Sequence, residues 1–162
     1  MKKYFAIIGT VITLASASSA QSSATLTISG TVAPINTITI ASQTGYNALN
    51  IPGGATAQVV GIATETSNDK LGYKVTLKSA NAGSTAQAFL SGATTGNPDT
   101  VNYSITYGGT AVTLASGVAT VTSVAARTGS AGVNKNIAVT FSGSWITADT
   151  YSDTLTLSIA GN

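Results

Sequence analysis

The 162-residue chain has no cysteine and no histidine, and Glu65 is its single glutamate. These absences remove the disulfide framework of many small exported β domains, the thiol nucleophiles, the common general bases and the usual zinc ligands. Serine and threonine are plentiful, but no base accompanies them. Only a two-aspartate site drawn from Asp69, Asp99, Asp149 and Asp153 is left for acid–base work, so the sequence reads as a non-enzyme without cofactor or metal. Charge is scarce as well, at 7% of residues. Lys2 and Lys3 carry the whole formal excess of +2; beyond them Lys70, Lys74, Lys78, Arg127 and Lys135 balance Glu65 and the four aspartates. A neutral chain of this kind has no electrostatic footprint for nucleic acid or an anionic membrane, and little charge to keep its copies apart.

The first residues carry a different signal. Met1-Lys2-Lys3 is a short basic start, Tyr4 to Ala15 is mostly apolar, and Ser18-Ser19-Ala20 supplies small residues for a peptidase. This three-part pattern predicts a secretory signal peptide over 1–20, cut after Ala20. The apolar run is too short for a membrane span, which takes roughly 20 residues, so the mature chain is expected to leave the cytoplasm without membrane insertion.

Directly after the leader, Ala24, Leu26, Ile28, Gly30 and Val32 alternate with Thr25, Thr27, Ser29 and Thr31. A period of two without a slip predicts a strand with one dry and one wet face. Burying Leu26, Ile28 and Val32 contributes about 1.5 to 3 kcal/mol each, whereas ordering nine backbone residues costs about 1 to 2 kcal/mol each. Such a strand is held only where ladder bonds and a ready groove offset that cost. It either closes its own domain or is offered to a neighbour, and its place between a leader and Pro34 favours the second.

The remainder reads as all-β, with no segment keeping helical spacing. Predicted strands are Thr37 to Ala41, Asn47 to Ile51, Gln58 to Thr64, Gly72 to Ser79, Val101 to Tyr107, Thr110 to Leu114, part of Gly117 to Arg127, a strand from Ile137 through Phe141, and Thr150 to Ala160. Gly108-Gly109 marks a two-residue hairpin that needs positive φ. Ala80 to Thr100 reads as a long excursion with a short edge strand, and Gly129 to Asn134 as a loop. Asp153 falls on the apolar parity of the last strand, which predicts a bend, or a carboxylate bonded to loop backbone. The turns Asn68-Asp69 and Asn97-Pro98-Asp99 lack the ligand density of a calcium loop, and their side chains are expected to satisfy turn backbone. Trp145, Tyr46, Tyr103, Tyr107 and Tyr151 offer a sugar platform in principle, although aromatics on alternating strand positions more often serve a core. Many short strands with turn signals between them suggest a two-sheet sandwich of the immunoglobulin kind.

Several stretches resemble the chaperone–usher pilins, in particular the cysteine-free major pilins of the alpha (colonisation-factor) fimbriae. Leu26-Thr27-Ile28-Ser29-Gly30-Thr31-Val32-Ala33-Pro34-Ile35 resembles that family's donor strand. Asn47-Ala48-Leu49 with Pro52 is similar to its next segment, Ile105-Thr106-Tyr107-Gly108-Gly109 to its strand and double-glycine turn, and Asp149-Thr150-Tyr151-Ser152 with Leu155 and Leu157 to its terminal strand. Tyr151-Ser152-Asp153-Thr154-Leu155 also resembles spore-coat-U-type archaic pilins, which usually carry a disulfide that this chain lacks.

The resemblance implies an incomplete immunoglobulin-like β-sandwich over 34–162, completed by a donor strand from 21–33 of another subunit. It implies a structural subunit of a surface pilus or fimbria with a role in adhesion. The implied partners are identical or related pilin subunits, a periplasmic chaperone, an outer-membrane usher and a host or surface receptor. Ala24, Leu26, Ile28, Gly30 and Val32 then fill a neighbour, while Tyr151, Leu155, Leu157 and Ile159 form the accepting edge. The rival expectation is a self-complemented adhesive or carbohydrate-binding sandwich displayed singly at the surface.

Overall fold

The computed structural model describes residues 22–162; the predicted leader and its cleavage point lie outside the described residues. Ala33–Asn162 forms one compact unit. Within it are ten strands and, among the described residues, no helix: β1 (Asn36–Ser42), β2 (Ala55–Ser67), β3 (Tyr73–Ser79), β4 (Ala88–Gly92), β5 (Thr100–Tyr107), β6 (Thr110–Ala111), β7 (Val118–Val124), β8 (Val133–Phe141), β9 (Tyr151–Ser152) and β10 (Leu155–Gly161).

The strands build two antiparallel sheets. The larger has the order β1-β2-β8-β5-β4-β9, with β6 hairpinned onto β5; the smaller has the order β10-β3-β7. A single core draws on both, including Leu77 and Ala119 from the smaller sheet and Val101, Ile105, Val139 and Phe141 from the larger, an arrangement consistent with a β-sandwich. The alternation in β3 explains its placement. Tyr73, Val75 and Leu77 are buried while Lys74 and Lys78 face water, and the strand is flanked by β10 on one side and β7 on the other.

Glu65 fastens the two sheets at one end of this core. It is fully buried, and its carboxyl oxygens accept hydrogen bonds from Tyr107 OH at 2.6 Å, Thr122 Oγ1 at 2.6 Å and Tyr73 OH at 2.8 Å. Glu65 and Tyr107 belong to the larger sheet, Tyr73 and Thr122 to the smaller, so the cluster occupies a place that a disulfide often takes in small exported β domains. A buried carboxyl group is tolerable only when it is hydrogen-bonded in this way.

Several expectations need correction. Asn47 to Ile51 forms no strand but irregular chain between turns at 44–47 and 51–53, the second closed by the Asn50 side chain accepting from the Gly53 amide and by the Gly54 amide bonding back to the Asn50 carbonyl; Leu49 and Ile51 still pack against the core. The strand expected over Gln58 to Thr64 extends to Ala55–Ser67 with two register shifts. The loop expected over Gly129 to Asn134 ends earlier, since β8 begins at Val133. The short strand in the 80–100 excursion, β4, is no edge, being flanked by β5 and β9. The hairpin at Gly108-Gly109 has the positive φ its signal requires, 56° and 84°.

The terminal strand divides. Tyr151–Ser152 pairs with β4 in the larger sheet, whereas Leu155–Gly161 pairs with β3 in the smaller. The crossing falls at Asp153, whose carboxylate accepts from Tyr103 OH and Ser79 Oγ, both at 2.6 Å, and from the Asn81 and Thr154 amides. The side chain that broke the apolar parity is thus the one that holds the crossing.

Candidate functional site

Strands β1 and β10 lie side by side at the seam between the sheets, but no ladder joins them: β1 bonds only to β2, and β10 only to β3. They run in opposite directions. At one end Gly161 meets Asn36 and Asp69 so closely that a Cβ there would collide with the Asp69 carboxylate; at the other, Leu155 shares a cavity with Ile40 and Ser42. The seam is therefore narrow at the Asn36 end and open at the Leu155 end.

The open part is a trough of about 190 Å³ with an apolar floor: Val60 from β2, Val139 and Phe141 from β8 and Leu90 from β4, rimmed by Ile40 and Leu155. Gly61 contributes by what it lacks, since a Cβ there would press on Ile40 Cγ2 at 3.2 Å. Among the described residues, the one buried side-chain polar atom without a hydrogen-bond partner, Asn36 Oδ1, belongs to the strand lining this seam.

Leu155, Leu157 and Ile159 alternate with exposed Thr156 and Ser158 along β10, but reach only partial burial. The free edge of β10 carries backbone donors and acceptors with no ladder partner. Tyr151 is separated from these three. It sits on β9 in the other sheet, where its hydroxyl donates to the Thr147 carbonyl at 2.7 Å, because the chain has not yet crossed at Asp153.

Residues 22–32 precede the compact unit and form no strand, so the predicted strand over Ala24 to Val32 is absent as a ladder in this single chain. A lone alternating segment has no donors and acceptors to pair with. Its apolar parity is open to solvent, with Leu26, Ile28 and Val32 at 85%, 87% and 84% exposure. Ala24 and Gly30 are exposed as well. Just beyond it, Asn68 fixes the entry into the unit, its side chain accepting from the Ile35 amide and donating to the Ala33 carbonyl.

The aromatic residues do not form one platform. Tyr103 and Tyr107 are buried, Tyr46 is half exposed, and Trp145 is 98% exposed. Burial, then hydrogen bonding to Asp153, pushes the Tyr103 phenol far up; burial and then Glu65 do the same to Tyr107, and raise Tyr73 to about 12. The aspartates are dispersed into turn duties. Asp99 accepts from the Thr147 amide, and Asp149 is lowered to about 2, first by the Asn97 amide and then by the Thr94 backbone. Among the described residues no three carboxylates converge on a metal position, and no helix is long and apolar enough to cross a membrane.

Two contributors escaped the sequence reading. Glu65 gave a faint signal, as a lone carboxylate on the inward parity of Ala63 and Ser67. The β1 rim at Ile40 gave none beyond its alternation. No family model matches the chain, and a search of curated proteins finds no significant match.

Proposed function

We propose that this protein is a structural subunit of a surface fibre of the pilus or fimbria type, exported by a chaperone–usher route and polymerised by strand exchange. In this reading the compact unit is an incomplete immunoglobulin-like sandwich whose missing strand belongs between β1 and β10. Ala24 to Val32 of another copy supplies it. The observation that carries the reading is the open apolar seam itself: a strand edge without a ladder partner stands beside a trough that runs down to the core, with Ile40, Val60 and Leu155 only partly covered. Exposed apolar surface next to an unpaired edge is a site for strand addition.

The segment 24–32 has the complementary form. Its exposed Leu26, Ile28 and Val32 share one parity, so one face enters the trough while the backbone pairs with β10. This joins a tail of one copy to a groove of the next, a heterologous contact that propagates into a filament rather than closing. The periplasmic chaperone, in this account, lends a strand to the same seam until a subunit replaces it.

Deletion of Gln21 to Ala33 separates this reading from a self-complemented adhesive domain. Strand exchange predicts that the shortened chain forms no polymers yet still folds when a chaperone or a donor peptide is supplied. Self-complementation predicts that the deletion unfolds the monomer and that peptide added in trans does not replace a polymer contact.

A further inference from the structure

The seam has a polarity, and with it the two ends of the compact unit differ. At the open end stand Tyr46, Leu49 and Asp149 around one cleft, and Leu49, Ile51, Trp145 and Asp149 around its neighbour. At the narrow end, Ile35, Ser67, Asn68, Arg127 and Thr128 enclose a separate cleft of about 480 Å³. Ile35 is 47% exposed there. Asp99 and Asp149 hold the loops at the open end, and Arg127 lines the cleft at the narrow one.

Building on the strand-exchange reading, we infer that Trp145 of one copy seats in the Ile35–Arg127 cleft of the next copy along the fibre, forming a second contact beside the exchanged strand. Three observations lead there. An incoming strand must leave by the open end, because Asn36, Asp69 and Gly161 crowd the other; it therefore runs antiparallel to β10. From Val32 the chain reaches Ile35 in three residues, at most about 10 Å, so the next copy's narrow end lies against this copy's open end. The face presented there holds Trp145 with almost its whole surface in water, and the opposing cleft offers the apolar Ile35 and the Arg127 guanidinium, a suitable partner for an indole face.

Trp145 is the chain's only tryptophan, which makes the contact directly readable. The leader-free chain is prepared both as polymer and as monomer capped with a synthetic 24–32 peptide, which carries no following domain, and acrylamide quenching is compared. The expected result is free quenching in the capped monomer, with a blue-shifted and at least threefold less quenchable emission in the polymer. Trp145→Ala, which removes no buried contact, is expected to leave peptide capping unchanged and to speed polymer dissociation about tenfold, the scale of an interface aromatic. Polymers in which Trp145 stays as quenchable as in the capped monomer would overturn the junction while leaving strand exchange intact. Failure of the peptide to cap and of the chain to polymerise would sink both. A shift of Trp145 emission in the capped monomer on adding mannose or galactose, with none on polymerisation, would reassign this face to a carbohydrate and overturn the junction.

Discussion

Strands β3 and β10 are written in the same pattern and meet different fates. Tyr73-Lys74-Val75-Thr76-Leu77 and Leu155-Thr156-Leu157-Ser158-Ile159 both alternate, and they pair with each other through Leu77↔Leu157 and Val75↔Ile159. Val75 and Leu77 are wholly buried, whereas Leu157 and Ile159 are only partly covered. Composition does not separate them. β3 has a neighbour on each side and β10 has one, so the difference measures what a second neighbour covers. A fully flanked strand is covered by its own chain; the open side of the half-flanked β10 is the vacancy that we propose a donor from another copy fills.

The largest effect is expected where the proposed donor meets that vacancy. Ile28→Asp places a charge on the apolar face of the segment and is expected to weaken its docking by at least about 5,000-fold, roughly 5 kcal/mol. Polymers should vanish in size-exclusion profiles while the compact unit keeps its melting behaviour. Normal fibres from this variant would break the assignment.

Next in size is the seam that is already closed. Glu65→Ala strips the acceptor from three buried hydroxyls and should cost about 4 kcal/mol in chemical unfolding of the peptide-capped subunit, at about 1 to 3 kcal/mol for each buried group left unsatisfied. Glu65→Gln, which keeps an oxygen in place, should cost about half as much. Equal and small losses in both would remove the cluster from its role as the tie between sheets.

The paired strands themselves provide a sharper comparison. Leu77→Ala is expected to cost about 3 kcal/mol whether or not the groove is filled. Leu157→Ala should cost about 1 kcal/mol in the free subunit and about 2 kcal/mol more once the donor peptide covers it. Identical penalties in the free state would mean that β10 is already as well covered as β3.

The smallest effect is on pH dependence. Burial and hydrogen bonding raise the Tyr73 phenol from 10.0 to about 12, and raise Tyr103 and Tyr107 in the same direction. A folded-state pKa above the unfolded one contributes stability that is complete below about pH 10 and is lost as pH climbs through about 12. Thermal melts should therefore be flat on the neutral side of pH 10 and fall above it, with Tyr73→Phe reducing the slope.

Much of the frame could be read from residue order. Alternation placed β3, the double glycine placed the β5–β6 hairpin, and Asp153 on the wrong parity marked the place where the last strand breaks. What escaped depends on partners distant in sequence. Glu65 needs Tyr73, Tyr107 and Thr122 from three other strands before it becomes a tie rather than a polar interruption. Asn47 to Ile51 carried strand-like apolar residues, but local capping by Asn50 outweighed that pattern. Half-burial of Leu157 and Ile159 cannot be inferred from their alternation, because it reflects the edge position of β10, which has β3 on one side only.

The most direct test of the vacancy is to add a synthetic Ala24–Val32 peptide to the leader-free protein and measure its mass distribution. The account predicts self-associated or laddered multimers without peptide, and a stable capped monomer with it. A cooperative monomer that neither multimerises nor responds to the peptide would contradict it, and would place the strand at home in its own chain.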